Sequence, residues 1–129
     1  MSAMIIRGTD FVMYPVSDLA RAASFYREVL GLPQEIYSEE WQWAEFNCGN
    51  ITLALKGGEK LPKLVPGGRI ALAVDDVQAA HEELKKRGVQ VVTEPHDYSV
   101  CCAMEILDPD GNGVILHKRA DGTFGPGSP

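Results

Sequence analysis

The sequence predicts an α+β domain in which two βαβββ repeats form a cup-shaped mixed sheet with helices on the outside. Three observations lead there. Two segments carry helical apolar stripes bounded by capping residues, and the rest reads as short strands punctuated by turn residues. The halves also repeat each other: Val16-Ser17-Asp18-Leu19 recurs as Val74-Asp75-Asp76-Val77, and Gly49-Asn50 as Gly111-Asn112. A half alone has too little core to stand, so the two are expected to fold as one domain.

Asp10–Val16 reads as the first strand. The first helix follows, with Leu19, Ala22, Ala23, Tyr26, Val29 and Leu30 on one stripe. Ser17 or Asp18 can accept from the free N–H groups of its first turn, and Gly31 suits the left-handed position after its end. Strands are expected at about 35–38, 41–48 and 51–55, separated by Cys48-Gly49-Asn50 and closed by Lys56-Gly57-Gly58. Glu59–Gly68 is the expected linker. In the second half, Arg69–Val74 is a strand, and the next helix carries Val77, Ala80 and Leu84, capped by Asp75 or Asp76 and stopped by Gly88. Glu82–Lys86 and Glu83–Arg87 are i, i+4 pairs in the favourable order. Strands then fall at about 89–93, 100–107 and 114–118, with Asp108-Pro109-Asp110-Gly111-Asn112-Gly113 as the last tight turn. The repeat halves span about 8–58 and 66–119, and 120–129 reads as a loose tail.

Composition narrows the function. The 129 residues carry 18 Asp+Glu against 12 Lys+Arg, a net charge of −6, which argues against nucleic acid as a partner. The longest apolar run, Ile70–Val74, is far short of the roughly 20 residues that span a bilayer, so no membrane association is expected. The first residues lack the apolar core of a secretory signal, and three cysteines do not make a disulfide framework. A cytoplasmic protein is the expectation.

Several stretches resemble the vicinal oxygen chelate superfamily of glyoxalases, bleomycin resistance proteins and extradiol dioxygenases. They are Val16-Ser17-Asp18-Leu19, Phe25-Tyr26-Arg27-Glu28-Val29-Leu30-Gly31-Leu32, Ala73-Val74-Asp75-Asp76-Val77, Arg87-Gly88-Val89 and Asp108-Pro109-Asp110-Gly111-Asn112. The resemblance implies a small-molecule site in the cup and a homodimer. In the enzymes it also implies a divalent metal held by His, Gln or Glu from the first and last strand of each half. Carried onto this chain, those positions are Phe11, Arg69, Ile115 and Leu53, or Thr52 or Ala54 with a one-residue error. None offers an imidazole or carboxylate, and Arg69 repels a cation, so no metal and no cofactor is expected.

Without a metal, the cup's residues must serve by themselves. Trp41 and Trp43, two apart on an expected strand, should face one side together with Glu45; indole rings beside carboxylates suit a flat or cationic guest. The alternative is core or dimer packing. Arg69 in a metal-ligand position could hold a carboxylate or oxyanion, or could simply pair with an acid. His117, two beyond Ile115, should share its face. Phe11, Met13, Trp41, Trp43, Arg69, Tyr98, Cys102, Met104, Ile115 and His117 are therefore the expected ligand-binding residues. At most one of Cys101 and Cys102 can point inward. His81 reads as a packed helix-boundary residue, and His96 falls in a loop-like stretch.

The expected function is metal-independent binding of an aromatic or cationic organic compound. One alternative is a metal-dependent or Arg-assisted lyase, isomerase or dioxygenase acting on a small oxygenated substrate. Another is an interaction protein that borrows the fold and has a filled cup.

Overall fold

The structure, a computed structural model, describes residues 5, 10–58 and 68–125. The expected linker Glu59–Gly68, except Gly68, and the last four residues lie outside that range. Eight strands and two helices follow in the order expected: β1 (Phe11–Pro15), α1 (Leu19–Ser24) continuing into a π-helical turn (Phe25–Val29), β2 (Gln34–Ser38), β3 (Trp43–Asn47), β4 (Thr52–Lys56), β5 (Ile70–Ala73), α2 (Val77–Lys86), β6 (Val91–Asp97), β7 (Cys101–Leu107) and β8 (Gly113–Arg119). They make two four-stranded mixed sheets, ordered β1-β4-β3-β2 and β5-β8-β7-β6. β1 runs parallel to β4, and β5 to β8, in matching registers.

The helices start where their caps place them. Asp18 and Asp76 each accept from the backbone N–H three residues on, at 3.0 Å. Gly31 and Gly88 each hold φ +70, the left-handed geometry that ends a helix at little cost to glycine. The first helix is not regular throughout. Leu30 N–H reaches back five residues to the Phe25 carbonyl, and the wider turn lets consecutive Phe25 and Tyr26 both point into the core. Glu83 and Arg87 form their ion pair at 3.1 Å; Glu82 and Lys86 form none among the described residues.

One core runs through both halves. Val12, Tyr14 and Val16 alternate with exposed residues along β1, and with Leu53, Leu55, Ala44 and Phe46 they meet α1; Val114, Leu116, Met104 and Ile106 form the counterpart beside Ile70, Val77 and Leu84. A hydrogen-bonded seam joins the halves. Tyr14 Oη donates to the Gly113 carbonyl and accepts from Ile70 N–H. Burial raises its pKa, and the Ile70 hydrogen bond opposes that rise. Buried Tyr26 donates to Asp108 Oδ2 at 2.9 Å, and Asp108 also accepts from Asp110 N–H, Asn112 N–H and the Asn112 amide. Burial and this carboxylate push the Tyr26 phenol up, so it stays a donor. The nearly buried Asp110 carboxylate accepts through Oδ1 from Ser17 and, at 3.2 Å, from Arg21.

The tail departs from expectation. Its first part is a hydrogen-bonded turn, with Ala120 N–H to Val100, Gly122 N–H to Arg119, and Asp121 accepting from Thr123. Arg119 anchors it from β8 by donating to Thr123 Oγ1 and the Gly125 carbonyl.

Candidate functional site

Each sheet buries one face and leaves the other open. In the first half the open face carries Phe11 and Met13 on β1, Lys56 and the fully covered Ala54 on β4, and Trp43 and Glu45 on β3. In the second it carries Ala71 on β5, Gly113, Ile115 and His117 on β8, and Cys101, Ala103 and Glu105 on β7, with Arg69 just before β5. Phe11 and Met13 remain 48% and 46% exposed, so within one chain neither open face covers the other.

The first face is aromatic with a fixed carboxylate. Phe11 meets Trp43 edge-on, with ring centroids 5.6 Å apart at 88°. Trp43 Nε1–H donates to Glu45 Oε2 at 2.8 Å, which aims the carboxylate without neutralising it. The second face centres on an ion pair, Arg69 Nη1 to Glu105 Oε1 at 3.3 Å. Gly113 leaves room for this pair: a Cβ there would meet Glu105 Oε2 at 2.6 Å and the Arg69 stem at 3.0 Å. The registers Met13–Ala54–Glu45 and Ala71–Ile115–Glu105 are equivalent, so the same position is acidic in both halves. Sequence reasoning missed Glu105, although aligning the repeat on its last strands would have found it.

Of the ten expected site residues, Phe11, Met13, Trp43, Arg69, Ile115 and His117 lie on the open faces. Four do not. Trp41 is not on a strand: β3 begins at Trp43, Gln42 takes φ +50, and the Trp41 ring is 71% exposed in a turn. Met104 is a fully buried core residue, and Cys102 packs against that core. Ala103 lies opposite His117, which puts Cys101 and Glu105 on the open face and their alternates behind it. Tyr98 lies in the β6–β7 turn, 4.4 Å from His96 between ring centroids. His96 is itself on β6 opposite Ala103, not in a loop. His81 is buried on α2, as expected. The last-strand position in the first half is Ala54, since Leu53 belongs to the core.

A model of the Glyoxalase/Bleomycin resistance protein/Dioxygenase superfamily matches residues 8–116. The chain belongs to this superfamily. Among the superfamily relatives it is similar to, the metallothiol transferase FosB of Staphylococcus haemolyticus is 37% identical over 120 residues, covering 88% of this chain and 84% of FosB. YraH of Bacillus subtilis is 26% identical over 117 residues, covering 80% and 91%. Two solved structures share the fold. A glyoxalase family protein from Bacillus anthracis aligns with TM-score 0.74 at 22% identity, covering 92% of this chain and 99% of that one. The fosfomycin resistance protein FosX from Mesorhizobium loti aligns with TM-score 0.69 at 24% identity, covering 88% and 92%.

The superfamily's metal positions do not fit a divalent ion in this chain. Phe11, Ala54 and Ile115 have no donor atom, and the Arg69 guanidinium already engages Glu105, the nearest carboxylate to Ile115. Among the described residues no three His, Cys, Asp or Glu side chains gather into a metal-binding cluster.

One cavity, of about 600 Å³, opens where β5 meets the β3–β4 turn, lined by Cys48, Leu72 and His117 among others. Burial pushes the Cys48 thiol up. Native protein at pH 8 is therefore expected to alkylate at Cys48 far more slowly than unfolded protein, measured by mass spectrometry of iodoacetamide-treated samples.

Proposed function

We propose that the chain is a metal-independent binding protein that holds a small aromatic organic cation against the first open face. The observation that carries this is the Phe11–Trp43–Glu45 group: an exposed phenyl ring and a partly buried indole beside a carboxylate aimed by the indole N–H. Phe11 and Met13, about half exposed on the first open face, support a homodimer in which a second copy covers that face. Three free cysteines and the absence, among the described residues, of a helix long and apolar enough to cross a membrane support action in the cytoplasm.

Calorimetric titration with benzyltrimethylammonium tests the reading. Saturable binding unchanged by a chelator, and at least tenfold weaker binding of the neutral isostere neopentylbenzene, is the expected result. Equal binding of the two, or none, overturns it. Arg69→Ala is expected to change stability by less than about 1 kcal/mol, because its guanidinium is half exposed and solvent screens the pair.

The likeness to FosB favours a second reading, an enzyme of the superfamily acting on a small oxygenated substrate. Arg69 would then hold the substrate's anionic oxygen in place of a metal. Turnover of fosfomycin with a thiol by purified protein, lost on Arg69→Ala, would support it. No turnover with or without added divalent metal removes it.

A further inference from the structure

The seam between the halves is filled on one side and open on the other. Matching the repeats pairs Tyr14 with Leu72, Pro15 with Ala73, Ser17 with Asp75 and Arg21 with Ala79. On the filled side Tyr14 crosses to Gly113, Asp110 locks onto Ser17 and Arg21, and the Asn112 amide donates to the Pro15 carbonyl. On the other side leucine replaces tyrosine, alanine replaces arginine, and the turn at Cys48-Gly49-Asn50 is shorter and carries no acid. The space so left is the cavity of about 600 Å³, within the range of small-molecule sites.

Its wall is the edge of β5 that pairs with no other strand among the described residues. Val74 N–H donates to the His117 carbonyl, so by alternation the backbone N–H and C=O groups of Ala71 and Ala73 turn away from β8 toward the cavity. The other edge strands are guarded. On β1 Pro15 removes one outward N–H and its carbonyl is taken by the Asn112 amide, β2 is bulged between Gln34 and Ile36, and β6 is bulged twice and carries Pro95. β5 has no proline, bulge or charge. Leu32, Ile51, Leu72 and Val74 make an apolar floor, Phe124 and Gly125 form the roof that Arg119 holds, and exposed Asp75 also lines the cavity, just past the end of β5. The roof is fitted to the opposite wall, since a Cβ on Gly125 would meet Asn50 Nδ2 at 2.7 Å.

We propose that this cavity is a strand-addition site for a short apolar peptide with a free N-terminus, distinct from the open-face site. The peptide runs antiparallel to β5, exchanges hydrogen bonds with Ala71 and Ala73, places apolar side chains on the floor, and sets its ammonium against Asp75. The ammonium is placed there because Asp75 makes no ion pair among the described residues, whereas Arg119 is engaged by the roof.

The test is calorimetry and amide hydrogen exchange on the full chain with the tripeptide Leu-Val-Leu. Saturable binding that slows exchange at Ala71 and Ala73 is expected. Methylating the nitrogen of the third residue, whose N–H faces Ala71 in this register, or acetylating the N-terminus should each weaken it at least tenfold. Ala73→Pro, which copies the Pro15 edge and spares the bonds to β8, should do the same, while Trp43→Ala leaves it unchanged. No binding, equal binding of the methylated peptide, or Ala71 and Ala73 protection that follows protein concentration instead of peptide overturns the proposal. The last result would give the edge to a second copy. Loss on Trp43→Ala would merge the two sites and also overturn it.

Discussion

Asp108→Ala is expected to destabilise the protein by about 3–5 kcal/mol, the range for removing a buried charged hydrogen-bond hub. The carboxylate is 5% exposed and accepts four hydrogen bonds, one of them from buried Tyr26 on the other half. Alanine leaves two backbone N–H groups and a phenol without acceptors in a site water reaches poorly. It also frees the turn that presents Asp110 to Ser17 and Arg21. Asp108→Asn should recover only part of the loss, because Oδ1 keeps its two backbone donors while the new amide faces two other donors. Urea unfolding of the three proteins checks both the size and the order of the effect. A loss below about 1 kcal/mol would mean that this carboxylate adds little to what holds the halves together.

Trp43→Ala is expected to weaken binding of benzyltrimethylammonium about 30-fold, equivalent to about 2 kcal/mol at a partly desolvated ring. Two effects add. The ring that would stack on the guest is lost, and Glu45 loses the N–H that aims it. Trp43→Phe separates them, since it keeps a ring face and removes the donor; an intermediate affinity is expected. The side chain lies on the open face, outside the shared core, so unfolding free energy should change far less than for Asp108→Ala. Titration calorimetry on folded variants measures this. Affinity unchanged by both substitutions would place the cation elsewhere.

Much of the fold was legible because its signals are local. Asp18, Asp76, Gly31 and Gly88 announce helix ends through chemistry that acts within one turn, and the repeat fixes the order of the strands. The site was less legible because it depends on which face a residue takes, and face is set by register. A strand assumed to include Trp41 puts two indoles side by side; the turn at Gln42 separates them. Placing Met104 with His117 needs the β7–β8 pairing, which sets Ala103 opposite His117 and sends Met104 into the core. The seam was illegible for a different reason: Tyr14 and Asp108 are far apart in sequence and look like ordinary strand and turn residues until the halves pack.

The equivalence of Glu45 and Glu105 bears on how such a chain can have diverged. Each half keeps an acid at the same register position, one answered by a neutral indole donor and the other by a guanidinium. A symmetric assembly of identical half-length chains would have to repeat whichever partner it carried, setting two uncompensated acids or two neutralised ones around every cup. Joining the halves in one polypeptide removes that constraint. One inherited carboxylate is free to recognise charge while its twin is quenched, and substitutions on either face can accumulate without being copied onto the other.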